Sequence, residues 1–217
     1  MDHYEKAGYP ICDFKMFHIR DTKKKEFDFH YHDFNKILIF IEGDVTYCIE
    51  GCSYQLMPYD IVFVKAGEVH RPVINSDIYE RIIIYVSPDF IDSYTTKDYD
   101  LNRCFKKAQA ESSKVLRMHS FHLSKLHDAM DALERSFQDS DYASSLHQQV
   151  LFLEFMIQLN RATLHDHIDY VSDNASNPKI LSILDYINTH LSEDLSIDTL
   201  AEHFFISKYY LMHTFKN

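Results

Sequence analysis

The sequence predicts an α+β fold, with an antiparallel β-barrel in front and helices behind. Three observations predict it. All four glycines, Gly8, Gly43, Gly51 and Gly67, fall in the first third of the 217 residues. Short β-branched and aromatic runs (KILIFIE, VTYCIE, SYQLM, IVFVK and ERIIIYV) lie among them, parted by turn signals such as EGD, EGC and MPYD. After Pro88 glycine disappears and apolar residues recur at intervals of three and four. Glycine supplies the positive φ of tight turns, β-branched and aromatic side chains suit a pleated surface, and a period near 3.6 marks a helix with a buried face.

The strand-rich part is placed at about residues 10–88, where short strands at regular spacing read as a small barrel or sandwich. Behind it Leu123, Leu126, Met130, Leu133 and Phe137 form one face of an amphipathic helix. The next helix, about residues 144–162, carries two apolar seams. One is Leu146, Val150, Leu153 and Ile157; the other is Phe152, Phe155, Met156 and Leu159. Two seams need two packing partners. Both facing their own domain, or one facing a second copy of the chain, are open readings. HDHIDYVSDNASNP at 165–178 has linker composition. The chain therefore divides into 1–165, a linker at 166–178, and 179–217. A further helix begins with Ile180, Ile183, Leu184, Ile187 and Leu191 on one face. Ser196 and Ser207 each precede a helical pattern as N-caps, Ala201 is small where two helices would cross, and Ile206 would plug the turn. This is a helix-turn-helix layout.

Composition narrows the function. The net charge is −11, so any contact with nucleic acid needs a local basic surface. No apolar run approaches the ~20 residues that span a bilayer. MDHYEKAGYPICDF lacks the apolar core of a signal peptide. Four cysteines without a paired framework suit a reducing cytoplasm, the expected location. Cys48 and Cys52 bracket a turn and are expected as reduced thiols.

The stretch HYHDFNK, residues 30–36, raises the question of a site. Strand period puts His30 and His32 on one face, and His70 lies further along. Three readings are open. Three imidazoles can hold zinc or iron. They can be hydrogen-bonded strand residues with no further role. Or they line a pocket for a small polar effector, in which His30, His32, Lys36, His70 and Arg71 give a positive lining that favours a carboxylate or phosphate.

Residues 180–216 resemble the first helix-turn-helix of AraC-type transcription regulators, through LSIDTLAEHFFIS and YYLMHTFK. The segment from HYHDFNKILIF to KAGEVHRPV looks like the cupin domain that precedes those helices. The two matches cover about half the chain. The resemblance implies a cupin-like, double-stranded β-helix barrel, then a helical dimerisation region, then a partial DNA-binding domain. It implies a small effector, promoter DNA and a second copy as partners, with no catalytic residue, metal or cofactor. The DNA-binding set it implies is Ser207, Lys208, Tyr209, Met212, His213 and Lys216. Tyr209, Met212 and His213 fall at base-reading positions; Ser207 and Lys216 fall at phosphates.

Two departures qualify the resemblance. Enzymatic cupins carry a glutamate four residues after His-x-His, where this sequence has Lys36, and a glycine where Tyr59 follows Pro58. A cation at a ligand position repels a metal ion. AraC-type regulators also carry two helix-turn-helix units, and this sequence stops at Asn217 after the first. A shortened form with weak DNA binding is expected. From residue 178 on, Lys179, Lys208 and Lys216 face Asp185, Glu193, Asp194, Asp198 and Glu202, a poor surface for phosphates. The alternatives are a metal-dependent cupin dioxygenase or isomerase, and a truncated dimerisation partner that does not bind DNA.

Overall fold

The computed structural model describes residues 5–6, 13–121, 124–164, 168–172, 182–183, 186–187, 189–191 and 193–214. Its strands are β1 (Glu5–Lys6), β2 (Phe14–Asp21), β3 (His30–Tyr31), β4 (Asn35–Ile49), β5 (Cys52–Gln55), β6 (Ile61–Val64), β7 (His70–Val86), β8 (Val115–Met118) and β9 (Ile168–Tyr170). Its helices are α1 (Pro88–Ser93), α2 (Arg103–Ala110), α3 (Lys125–Ser136), α4 (Ser144–Ala162), α5 (Ile197–Phe204) and α6 (Lys208–Thr214). The described strands form one sheet in the order β1-β3-β7-β4-β6-β8-β9, with β2 also on β7 and β5 also on β4. All pairings are antiparallel except β1 with β3.

The antiparallel pair β4 and β7 is the spine, running from Asn35↔Val86 to Ile49↔His70. Its register shifts between Phe40 and Glu42 and again between Gly43 and Val45. Gly43 has φ +137, and a Cβ there would stand 2.5 Å from the Ile78 carbonyl oxygen, so only glycine fits this bend.

Strand period separates two cores. Leu38, Phe40, Val45, Tyr47 and Ile49 of β4 point inward and meet Tyr54, Val62, Val64, Ile74, Tyr79 and Ile83. Ile37 and Ile39 point the other way and meet Ile82, Ile84, Phe105, Leu126, Leu133, Phe152, Phe155 and Leu159. The barrel thus has a filled interior and a helical layer on one outer face. Each such large side chain contributes roughly 1.5–3 kcal/mol by leaving water.

On α4 the seam of Phe152, Phe155, Met156 and Leu159 is buried in the second core, and Phe14 stacks on Phe152 at 4.3 Å. Three residues of the other seam face out, with Leu146 60%, Val150 55% and Ile157 37% exposed. Leu153 of that seam is half-buried against the same core, so the seam is split between core and surface. On α3, Leu126, Met130 and Leu133 are buried as the spacing predicts; Leu123 lies outside the described residues.

Strands β1, β8 and β9 lie outside the stretch read as strand-rich, and β2 was not among its named runs. β8 pairs with β6 and β9 with β8, through Leu116↔Tyr170 and Met118↔Ile168. β9 therefore puts residues 168–170, inside the stretch read as linker, onto the sheet edge. Three residues are too few to show a period against a polar background.

The tail follows its caps. The Thr199 N–H donates to Ser196 Oγ at 3.1 Å, and the Tyr210 N–H donates to Ser207 Oγ at 3.1 Å. Phe205, at φ 53, closes α5 in the left-handed region. Ala201 and Ile206 are fully buried in a third core with Ile183, Leu200 and Leu211. Among the described residues no helix is long and apolar enough to cross a membrane.

Candidate functional site

β3, β4 and β7 bring His30, His32, His70 and Lys36 together. His30 is the register partner of His70. The ring centroids lie 4.4 Å apart for His30 and His70, 4.8 Å for His32 and His70, and 6.4 Å for His30 and His32. Each Nδ1 meets a backbone carbonyl: Asp28 at 2.9 Å, Phe34 at 2.7 Å and Glu68 at 3.0 Å. A carbonyl only accepts, so each ring holds its proton on Nδ1 and keeps its lone pair on Nε2. Nε2 of His32 and of His70 are buried and have no partner.

Lys36 is buried on the inward face of β4 and donates to Tyr47 Oη at 2.7 Å. The Tyr47 ring lies parallel to His70 at 6.1 Å. Phe34 stacks on His32 at 4.1 Å, and Tyr85 meets His32 edge-on at 5.9 Å. Burial pushes Lys36 down to about 7, with the charge of Arg81 adding to the effect. Burial and the charge of Lys36 lower His32 to about 3, and the same two causes hold His70 well below its ordinary value. Burial also lowers His30, and Lys36 adds to it. The imidazoles are neutral acceptors near pH 7, and positive charge at this cluster comes from Lys36.

Arg71 stands apart. It follows His70 on a strand and so points to the other face, where its guanidinium lies 4.3 Å over the Phe29 ring.

The resemblance of this sequence to cupins raises the question of a metal ion. Among the described residues no three or more His, Cys, Asp or Glu side chains are placed to hold one. Burial is the first cause that lowers the three rings and the charge of Lys36 adds to it, and that charge would oppose a divalent cation there. The residues do not fit such an ion.

Cys48 and Cys104 are free thiols. On the helix-turn-helix, Tyr209 and Met212 are 68% and 51% exposed, and the Tyr209 ring lies 6.1 Å from His213 on the same face of α6. Lys208 pairs with Asp198 at 2.7 Å. Lys216 lies outside the described residues. Ser207 turns to the barrel: its N–H and its Oγ donate to Glu50 Oε2 at 2.7 and 2.9 Å. Glu50 is a residue that sequence reasoning missed. An acid ending an apolar strand just before Gly51 was its only signal.

Residues 16–156 match the family described as the AraC-like ligand binding domain. The chain belongs to this family. Among relatives of this AraC-type chain, the HTH-type transcriptional activator RhaS of Escherichia coli is 21% identical over 183 residues, which is 84% of this chain and 63% of RhaS. RhaS of Shigella sonnei gives the same figures. The AraC-type chain thus spans less than two thirds of the length of these curated relatives. Among solved structures, the AraC-like transcriptional activator CuxR aligns over 82% of this chain and 59% of its own, at 14% identity and TM-score 0.44. An RmlC-like cupin of Methanocaldococcus jannaschii aligns over 34% of this chain and 70% of its own, at 25% identity and TM-score 0.31. The barrel of the AraC-type chain lies within the matched AraC-like ligand binding domain, and the α+β class stands.

Proposed function

We propose that this AraC-type chain joins the effector-sensing part of a cytoplasmic transcription regulator to its first helix-turn-helix. The observation that carries the reading is the enclosed cluster of His30, His32, His70 and Lys36, in which two imidazole lone pairs are buried without partners beside a buried amine. An unfilled acceptor in an interior costs stability unless something fills it. A small anionic effector fits: its carboxylate or phosphate meets Lys36, and its own O–H or N–H groups meet Nε2 of His32 and His70. Arg71 lies on the other face of β7 over Phe29 and is not part of the cluster. No catalytic group or cofactor is assigned.

Residues 1–165 then sense and dimerise, and residues 179–217 read promoter DNA. On α6, Tyr209, Met212 and His213 face the bases, and the family pattern puts Ser207 and Lys216 at phosphates. The second copy packs on the outward residues of α4, because Leu146, Val150 and Ile157 form an apolar row that is exposed among the described residues.

Titration calorimetry of small hydroxycarboxylates and sugar phosphates tests the site. One class is expected to bind the wild-type chain and to bind Lys36→Met about tenfold or more weakly, since a charge-assisted hydrogen bond is lost. A ligand bound equally by wild type, Lys36→Met and His70→Ala overturns the assignment. Elemental analysis after dialysis tests the metal alternative. One equivalent of iron or zinc, lost in His32→Ala, would replace the effector reading with an enzyme.

A further inference from the structure

Glu50 joins two parts of the chain that lie 157 residues apart. It sits in the turn after β4 at φ 46, a conformation that side-chain-bearing residues seldom adopt, and is only 2% exposed. Its Oε1 accepts from the Val69 N–H at 2.7 Å. Its Oε2 accepts both donors of Ser207. Two further contacts surround this one. Phe29 stacks on Phe205 at 4.4 Å with 15° between the rings, and Tyr210 Oη lies 4.0 Å from Cys52 Sγ. A buried carboxylate persists when hydrogen bonds occupy its oxygens. Here two of the three bonds come from the helix-turn-helix, so docking of that unit completes the solvation of Glu50.

We propose that Glu50 is a latch that holds the helix-turn-helix against the barrel in a DNA-off state. The proposal rests on the DNA-reading assignment of α6 made above. Ser207 gives its N–H and its hydroxyl to Glu50 and so offers neither to a phosphate. The barrel covers the side of α6 from which Ser207 would reach one. The latch also shares residues 68–70 with the imidazole cluster: Glu68 accepts from His70 Nδ1, and Val69 donates to Glu50. An effector that shifts His70 therefore shifts the adjoining Val69, which supplies one of the three bonds to Glu50.

Glu50→Gln is the discriminating variant. Its remaining carbonyl oxygen can still accept from Val69, which preserves the barrel. Its amide NH2 then faces the Ser207 N–H, donor against donor. Phe205→Ala loosens the same contact from the other side and leaves Glu50 intact. Amide hydrogen exchange of the whole chain at residues 207–211 is expected to run about tenfold faster in either variant, with β4 amides unchanged. Anisotropy with a labelled 40-base-pair mixed-sequence duplex at low salt is expected to show about tenfold tighter binding by both variants, the same released fraction seen from the DNA side. Unchanged exchange at 207–211 in both variants overturns the latch. Faster exchange with measurable but unchanged duplex affinity overturns the off-state. Faster exchange with no binding by wild type or variant overturns the off-state too, and with it the assignment of α6 to DNA.

Discussion

Lys36 is a cation in the interior of a barrel, on a strand position flanked by Ile37 and close to three neutral imidazoles. Its folded pKa, about 7, lies below the 10.5 of the free side chain. The sign follows from proton counts. Below about pH 7 both folded and unfolded chains hold the proton, and the full penalty of the buried charge is present. Between about 7 and 10.5 the unfolded chain holds the proton and the folded one does not, so stability rises with pH. Lys36→Met removes this dependence. The stability of the variant relative to wild type, read from urea unfolding, is expected to be greatest below pH 7 and to fall by up to ~1.4 kcal/mol per unit above it. A difference that stays flat from pH 6 to 9 contradicts a buried amine that titrates near 7. An anionic effector would hold Lys36 protonated, so its affinity is expected to fall above pH 7. Most of this site was legible in the sequence, because strand period alone puts His30 and His32 on one face. Arg71 was misplaced for the same reason: adjacency in sequence to His70 means opposite faces on a strand. The neutral state of the imidazoles was not legible, since it depends on burial and on Lys36. Nor was Glu50, whose partner Ser207 lies in another core.

Helix α4 shows what periodicity resolves and what it leaves open. The two seams were evident from spacing, but which one faces the barrel depends on tertiary packing. Phe152, Phe155, Met156 and Leu159 fill the core, so Phe155→Ala is expected to cost about 3–5 kcal/mol in urea unfolding. Val150→Glu lies on the outward seam, 55% exposed, and is expected to leave the fold stable. If a second copy packs there, an unpaired carboxylate in the interface costs several kcal/mol and shifts sedimentation equilibrium from dimer to monomer. A folded wild-type chain that sediments as a monomer at micromolar concentration refutes the dimer. β9 was illegible for a different reason. Ile168 and Tyr170 gain strand geometry only from β8, an edge that no local signal announces.

In the molecule as a whole, β4 and β7 belong to both the barrel interior and the core beneath the helices. The two cores are therefore expected to unfold in a single transition. The third core, around Ala201 and Ile206, shares no strand with them and is joined to the barrel by contacts such as Glu50 with Ser207. Gly43→Ala tests the spine. With φ +137 and the Ile78 carbonyl 2.5 Å from the added methyl, the bend must distort, at a cost of about 1–3 kcal/mol. A midpoint in urea that does not move would show that the bend adapts freely. The α+β class and the order of barrel, helices and helix-turn-helix were legible because glycine and helical spacing occupy separate parts of the chain. The division of the barrel into two cores was not, since KILIFIE reads as one unbroken apolar run.

The double shift of register at the bend also reverses which positions point inward. Before it the inward residues of β4 are Lys36, Leu38 and Phe40; after it they are Val45, Tyr47 and Ile49. On β7 the inward set changes likewise from His70 and Ile74 to Tyr79 and Ile83. This gives a rule for redesign. A library that varies positions 36, 38, 47 and 70 alters the lining of the barrel, while positions 37, 39, 82 and 84 belong to the helical face and are left as they are. Deleting one residue within 41–44 would turn one half of that lining inside out, so length at the bend constrains any search for new ligand specificity more tightly than side-chain identity does.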